Sequence, residues 1–110
     1  MATYKYDGNM VDYTPSGSDV TAGDVIVQND LLGVAVNDIE DGKLGALYVN
    51  GVIEFPKATG VGTDIAAGTK VYWDESAGNA TTTATSNTLI GKAVKAASTS
   101  DDKVWVKLNQ

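Results

Sequence analysis

The chain of 110 residues contains no cysteine and no histidine. Thiolate nucleophiles, disulfides, cysteine-based zinc or iron sites and every Ser/His/Asp or Cys/His constellation are therefore excluded together. What remains for chemistry is carboxylate, lysine and aromatic. Asp74 and Glu75 are adjacent, but consecutive strand residues point to opposite faces, so they cannot flank one substrate as paired carboxylates; WDESAGN reads as a solvated hairpin tip. Asp38, Glu40 and Asp41 offer the oxygens that calcium takes. Setting Gly42 on the glycine of the D-x-[DN]-x-[DN]-G pattern, however, puts Ile39 where a ligand belongs, and a charged hairpin tip is the expectation. Lys92 follows a glycine as in phosphate-binding loops, yet Ser86 replaces the first glycine of G-x-x-x-x-G-K-[ST] and Ala93 replaces its hydroxyl. No catalytic, metal or cofactor site is expected, and the chain is read as a non-enzyme.

The aromatic residues carry two readings. Trp73, Trp105, Tyr72 and Tyr48 could form a platform for sugars or bases, but alternation in KVYWD and KVWVK turns one member of each neighbouring pair inward, towards a core. Tyr4, Tyr6 and Tyr13 lie in a short N-terminal segment with little core of its own, which points to use at an interface or to packing across the protein's own β-structure.

All eight basic residues are lysine, against fourteen acidic ones, for a formal charge of −6. That balance repels polyanions and anionic lipid, so neither nucleic acid nor membrane is an expected partner. The opening MATYKYDGNM has no apolar leader, so the mature chain is expected to begin at or next to Met1, and the longest apolar runs, LLGVAV and LGALYV, fall far short of a membrane span.

The elements that must position these residues are legible as a repeat. VTAGDVIVQNDLLGVAV at 20–36 returns as IAAGTKVYW and LIGKAV within 65–94. The offset is 45 residues at the first glycine (Gly23 to Gly68) and 58 at the second (Gly33 to Gly91), which places 13 extra residues between the strands of the second copy. Abundant Thr, Val, Gly and Ala with turn residues every 8–12 positions predict an all-β fold, a small β-barrel or sandwich built on the duplicated unit. Strands are expected at 24–28, 31–37, 44–55, 70–74, 80–84, 89–97 and 103–109. Asn50-Gly51 fits either a two-residue hairpin turn or a bulge inside one long strand, and the shortness of GVIEF favours the bulge. Residues 1–19 are read as an extended N-terminal arm, and 20–110 as one β-barrel-like domain.

The opening YKYDGNMVDYTPSGSDVTAGDVIV, the middle GALYVNGVIEFPKATG, the pair KVYWD and the run ATTTATSNTLIGKAVKAA resemble the small capsid cement, or decoration, proteins of tailed bacteriophages and prophages over nearly the whole chain. The resemblance implies a β-rich virion protein, made in the host cytoplasm, that assembles as a homotrimer on the outer capsid surface and ties capsomers of the major capsid protein together. The runner-up reading is a carbohydrate- or surface-binding β-module using exposed Trp73, Tyr72 or Trp105.

Overall fold

The computed structural model describes residues 2–3 and 9–108. Nine strands run in chain order: β1 (Met10–Tyr13), β2 (Val25–Gln28), β3 (Leu31–Ala35), β4 (Gly45–Tyr48), β5 (Val52–Pro56), β6 (Lys70–Asp74), β7 (Asn79–Thr81), β8 (Thr88–Ala93) and β9 (Lys103–Leu108). No helix occurs among the described residues. The fold is all-β, as the turn spacing and β-branched content predict, in the form of two open sheets: four strands in the order β1-β4-β3-β2 and five in the order β5-β9-β8-β6-β7. By contact the chain divides into two compact units, residues 1–26 with 33–50, and 27–32 with 51–110.

The repeat in the sequence is a repeat in the backbone. In the first copy Val20 and Ile39 exchange a pair of N–H···O=C bonds, Gly23 N donates to Ala35 O at 3.0 Å, and Ala35 N donates to Asp24 O at 2.9 Å. In the second, Ile65 and Ala97 exchange the same pair, Gly68 N donates to Ala93 O at 2.7 Å, and Ala93 N donates to Thr69 O at 2.9 Å. Gly23 (φ 90°) and Gly68 (φ 84°) occupy the same left-handed turn, which a side chain would strain. The Ala-Gly dipeptide recurs because this turn recurs. The extra residues of the second copy supply β7, which pairs with β6 and adds a fifth strand.

One expectation is overturned. Residues 44–55 are not one bulged strand: β4 pairs with β1 and β3, whereas β5 pairs with β9. Gly51, at φ 97°, marks the point where the chain leaves one sheet and enters the other. The real bulge lies in β8, where Val71 faces Gly91 and Tyr72 faces Leu89, leaving Ile90 as the extra residue, fully buried.

Each unit has its own apolar centre. In the first, Val20, Ala35, Ile39 and Leu47 are buried, with Val11, Tyr13 and Ile26 packed against them. In the second, Phe55, Val71, Ile90, Val104, Val106 and Leu108 are buried, and the Phe55 and Trp73 rings meet at 6.0 Å, tilted by 54°. Strand β9 alternates strictly, with Val104, Val106 and Leu108 inward and Lys103, Trp105 and Lys107 outward.

Candidate functional site

In the first unit, two loops are zipped together by carboxylates. The antiparallel bridge between Val20 and Ile39 brings residues 17–24 beside 37–43. Asp41 then accepts from Gly17 N at 2.8 Å, Asp19 from Asp41 N at 2.8 Å, Asp38 from Ala22 N at 2.8 Å and Asp24 from Thr21 N at 2.9 Å. Four of these acids are thus turned towards backbone donors, the ordinary work of Asp in loops. Among the described residues no set of three or more acidic side chains is arranged to hold a metal ion. The hairpin-tip reading of Asp38, Glu40 and Asp41 is the geometry found, and it leaves five exposed carboxylates, counting Asp19 and Asp24, on one rigid loop pair.

The second unit presents the opposite chemistry. Registers place Val52, Glu54 and Pro56 on the same outward face as Lys107, Trp105 and Lys103, their direct partners. Lys107 faces Lys92, and Lys92 faces Lys70. Lys70, Lys92, Lys107 and Val52 therefore form one straight row across four adjacent strands, with about 5 Å between neighbouring side-chain bases. Beside the row, Trp105 is 44% exposed and held from two sides. Its indole N–H donates to Glu54 Oε2 at 2.8 Å, and Lys95 Nζ lies 4.5 Å from the ring centroid. Five of the eight lysines thus belong to this face.

Other residues singled out by sequence have structural work. Asp74 accepts from Ser76 Oγ at 2.8 Å and Ala77 N at 3.2 Å, which holds its carboxyl below the usual aspartate range. Glu75 accepts from Trp73 Nε1 at 3.0 Å. Trp73 is buried and Trp105 faces outward, so the two indoles lie on opposite faces of one sheet and share no platform. Tyr72 is half-buried. Tyr13 is half-buried against the first core, and Tyr4 and Tyr6 lie outside the described residues.

Two features escaped sequence reasoning. Lys57 is 4% exposed, and its ammonium donates to Ala58 O at 2.8 Å, Asp101 O at 2.9 Å and Thr63 Oγ1 at 3.4 Å, tying together loops distant in sequence. The lysine row was hidden as well, although the repeat carries its trace. The offsets of 45 and 58 set Lys70 and Lys92 on Val25 and Val34 of the first copy.

The described surface thus carries a row of lysines, a set of loop carboxylates and exposed apolar side chains. Comparison with known families gives that surface its context: the family model described as phage cement protein matches residues 6–108. The chain belongs to the phage cement protein family. A cement protein is a structural component of the virion capsid and not an enzyme, and its role is to stabilise that capsid. No curated protein and no solved structure matches the chain. In this cement protein the lysine face and the zipped acidic loops are the two strongly charged surfaces among the described residues.

Proposed function

We propose that this protein decorates the outer surface of a tailed-phage capsid as a homotrimer and bridges neighbouring capsomers of the major capsid protein. The observation that carries the reading is the family match across residues 6–108. The physical chemistry agrees with it. An acidic, cysteine-free β-frame with exposed Met10, Tyr48, Val52 and Trp105 offers contact area and no reactive group. Trimerisation would present three such surfaces to a three-fold lattice position, so that once one is bound the others bind at high effective concentration. The N-terminal segment takes part: Tyr4 and Tyr6 supply contact area at little entropic cost, and Tyr13 anchors the segment to the first core. Synthesis in the host cytoplasm fits a chain that needs no disulfide.

The test is co-sedimentation with undecorated capsids of the phage that encodes the protein, followed by heating of the decorated particles. The intact chain should bind and raise the temperature at which capsids rupture, and a Tyr4→Ser/Tyr6→Ser variant should bind about tenfold more weakly. Failure of the intact chain to bind would remove the decoration reading. Equal binding by the variant would remove the N-terminal segment from it.

A further inference from the structure

The lysine row is a choice of the second copy alone. Cross-strand partners of like charge destabilise a sheet, and here Lys70, Lys92 and Lys107 are direct partners in succession. The frame does not demand them. In the first unit, Tyr48 takes the place of Lys107 and has Met10 and Val34 as partners, just as Lys107 has Val52 and Lys92. A protein with a formal charge of −6 nevertheless concentrates its cations here. The acidic residues that the registers place on this face are Glu54 and Asp74, the first bound to Trp105 and the second to its own turn.

We propose that this face, from Lys70 through Lys92 and Lys107 to Val52 and Trp105, docks on the acidic loop pair of a second copy of this chain; the inference rests on the self-assembly proposed above. The chemistry that relieves a row of ammonium groups is a surface of carboxylates, and the chain carries one. Residues 1–26 and 33–50 hold seven acidic residues and two lysines, a net −5, whereas 27–32 and 51–110 hold seven acidic residues and six lysines, a net −1. Asp19, Asp24, Asp38, Glu40 and Asp41 stand exposed on loops already fixed by their own hydrogen bonds, so little ordering remains to be done on contact. Trp105, fixed by Glu54 and Lys95, is the rigid aromatic anchor, and Val52, 52% exposed, adds apolar area at the end of the row. A contact that joins two different patches is head-to-tail, and it closes into a ring when the rotation per copy allows. The same net charge excludes nucleic acid as the occupant by repulsion.

The experiment uses the full chain. Light scattering after size exclusion compares the wild type, a Lys70→Glu/Lys92→Glu/Lys107→Glu variant and the matching triple arginine variant, at low and high salt. Zero-length carbodiimide coupling of mixed light and heavy nitrogen chains then identifies which carboxylates meet which lysines between copies. The wild type should associate and weaken about tenfold in high salt. The glutamate variant should remain folded by circular dichroism and elute as a monomer, the arginine variant should associate, and inter-copy links should join Lys70, Lys92 or Lys107 to residues within 19–41. Equal association of the glutamate variant would overturn this face while leaving self-assembly intact. A wild type that stays monomeric at every concentration, on and off the capsid, would overturn self-assembly itself. Links from the row to the capsid subunit alone, in decorated particles, would overturn the second copy as the occupant.

Discussion

Strand for strand the two sheets share one frame, with β1, β4, β3 and β2 of the first standing for β5, β9, β8 and β6 of the second. The side chains on that frame differ in a correlated way. Tyr13 faces Gly45 in the first, and Phe55 faces Val104 in the second. A Cβ on Gly45 would collide with Ile39, so the first copy is glycine in the strand and bulky at the bridge position. At the corresponding bridge position the second copy has Ala97, and its strand residue is Val104, both buried. Glycine with isoleucine in the first copy thus corresponds to valine with alanine in the second. Close-packed interiors tolerate such exchanges when the total volume is preserved.

The difference in burial predicts the largest contrast. Phe55 is 1% exposed and its ring meets that of Trp73 at a tilt, so Phe55→Ala should cost about 3–5 kcal/mol, whereas Tyr13→Ala, at the same place on a half-buried strand, should cost about 1–2 kcal/mol. Urea unfolding followed by tryptophan fluorescence measures both. Equal losses would mean that the first core is as tightly closed as the second.

A second experiment sharpens the volume exchange. Gly45→Val forces a methyl-bearing carbon into Ile39 and should cost about 1–3 kcal/mol; combined with Ile39→Ala it should cost clearly less than the two single changes added together. Simple additivity in the double-mutant cycle would show that the two positions do not share one site.

The smallest effect is in the turns of the second unit. Asp101 accepts from Ser98 N at 2.7 Å, and that bond holds its carboxyl below the ordinary aspartate value of 3.8. Because the folded pKa is the lower one, this contribution is fully present above the unfolded value and is lost as pH falls through the folded value. Stability should therefore be flat near neutrality and decline below about pH 4. Asp101→Asn should make that acid decline shallower in urea midpoints, and an unchanged slope would take Asp101 out of it.

These contrasts also show what a single sequence makes legible. Period-two alternation and turn residues locate β6 at its observed bounds and turn one member of each neighbouring pair in KVYWD and KVWVK inward, because those signals are local; that Trp73 is the inward residue and Trp105 the outward one is set by the sheet. Asn50-Gly51 misleads because a bulge and a crossing between sheets need the same positive-φ glycine between the same apolar flanks, and the choice depends on which distant strand is the partner. The lysine row is hidden for the same reason. Lys70, Lys92 and Lys107 meet only through pairings across β6, β8 and β9, one of them shifted by the bulge at Ile90. Read alone, Lys92 suggests at most a phosphate loop.

The exchange of volume between Ile39/Gly45 and Ala97/Val104 also bears on how the chain reaches its fold. Two near-copies in one polypeptide can mistake each other's strands while still unfolded, a hazard typical of repeat proteins. If β9 settled on the first frame, Val104 would strike Ile39; if β4 settled on the second, a glycine would stand in the buried place of Val104. Either misassembly is penalised by shape before any surface charge is felt. The divergence of the two copies therefore makes each strand fit its own frame better than its sibling's.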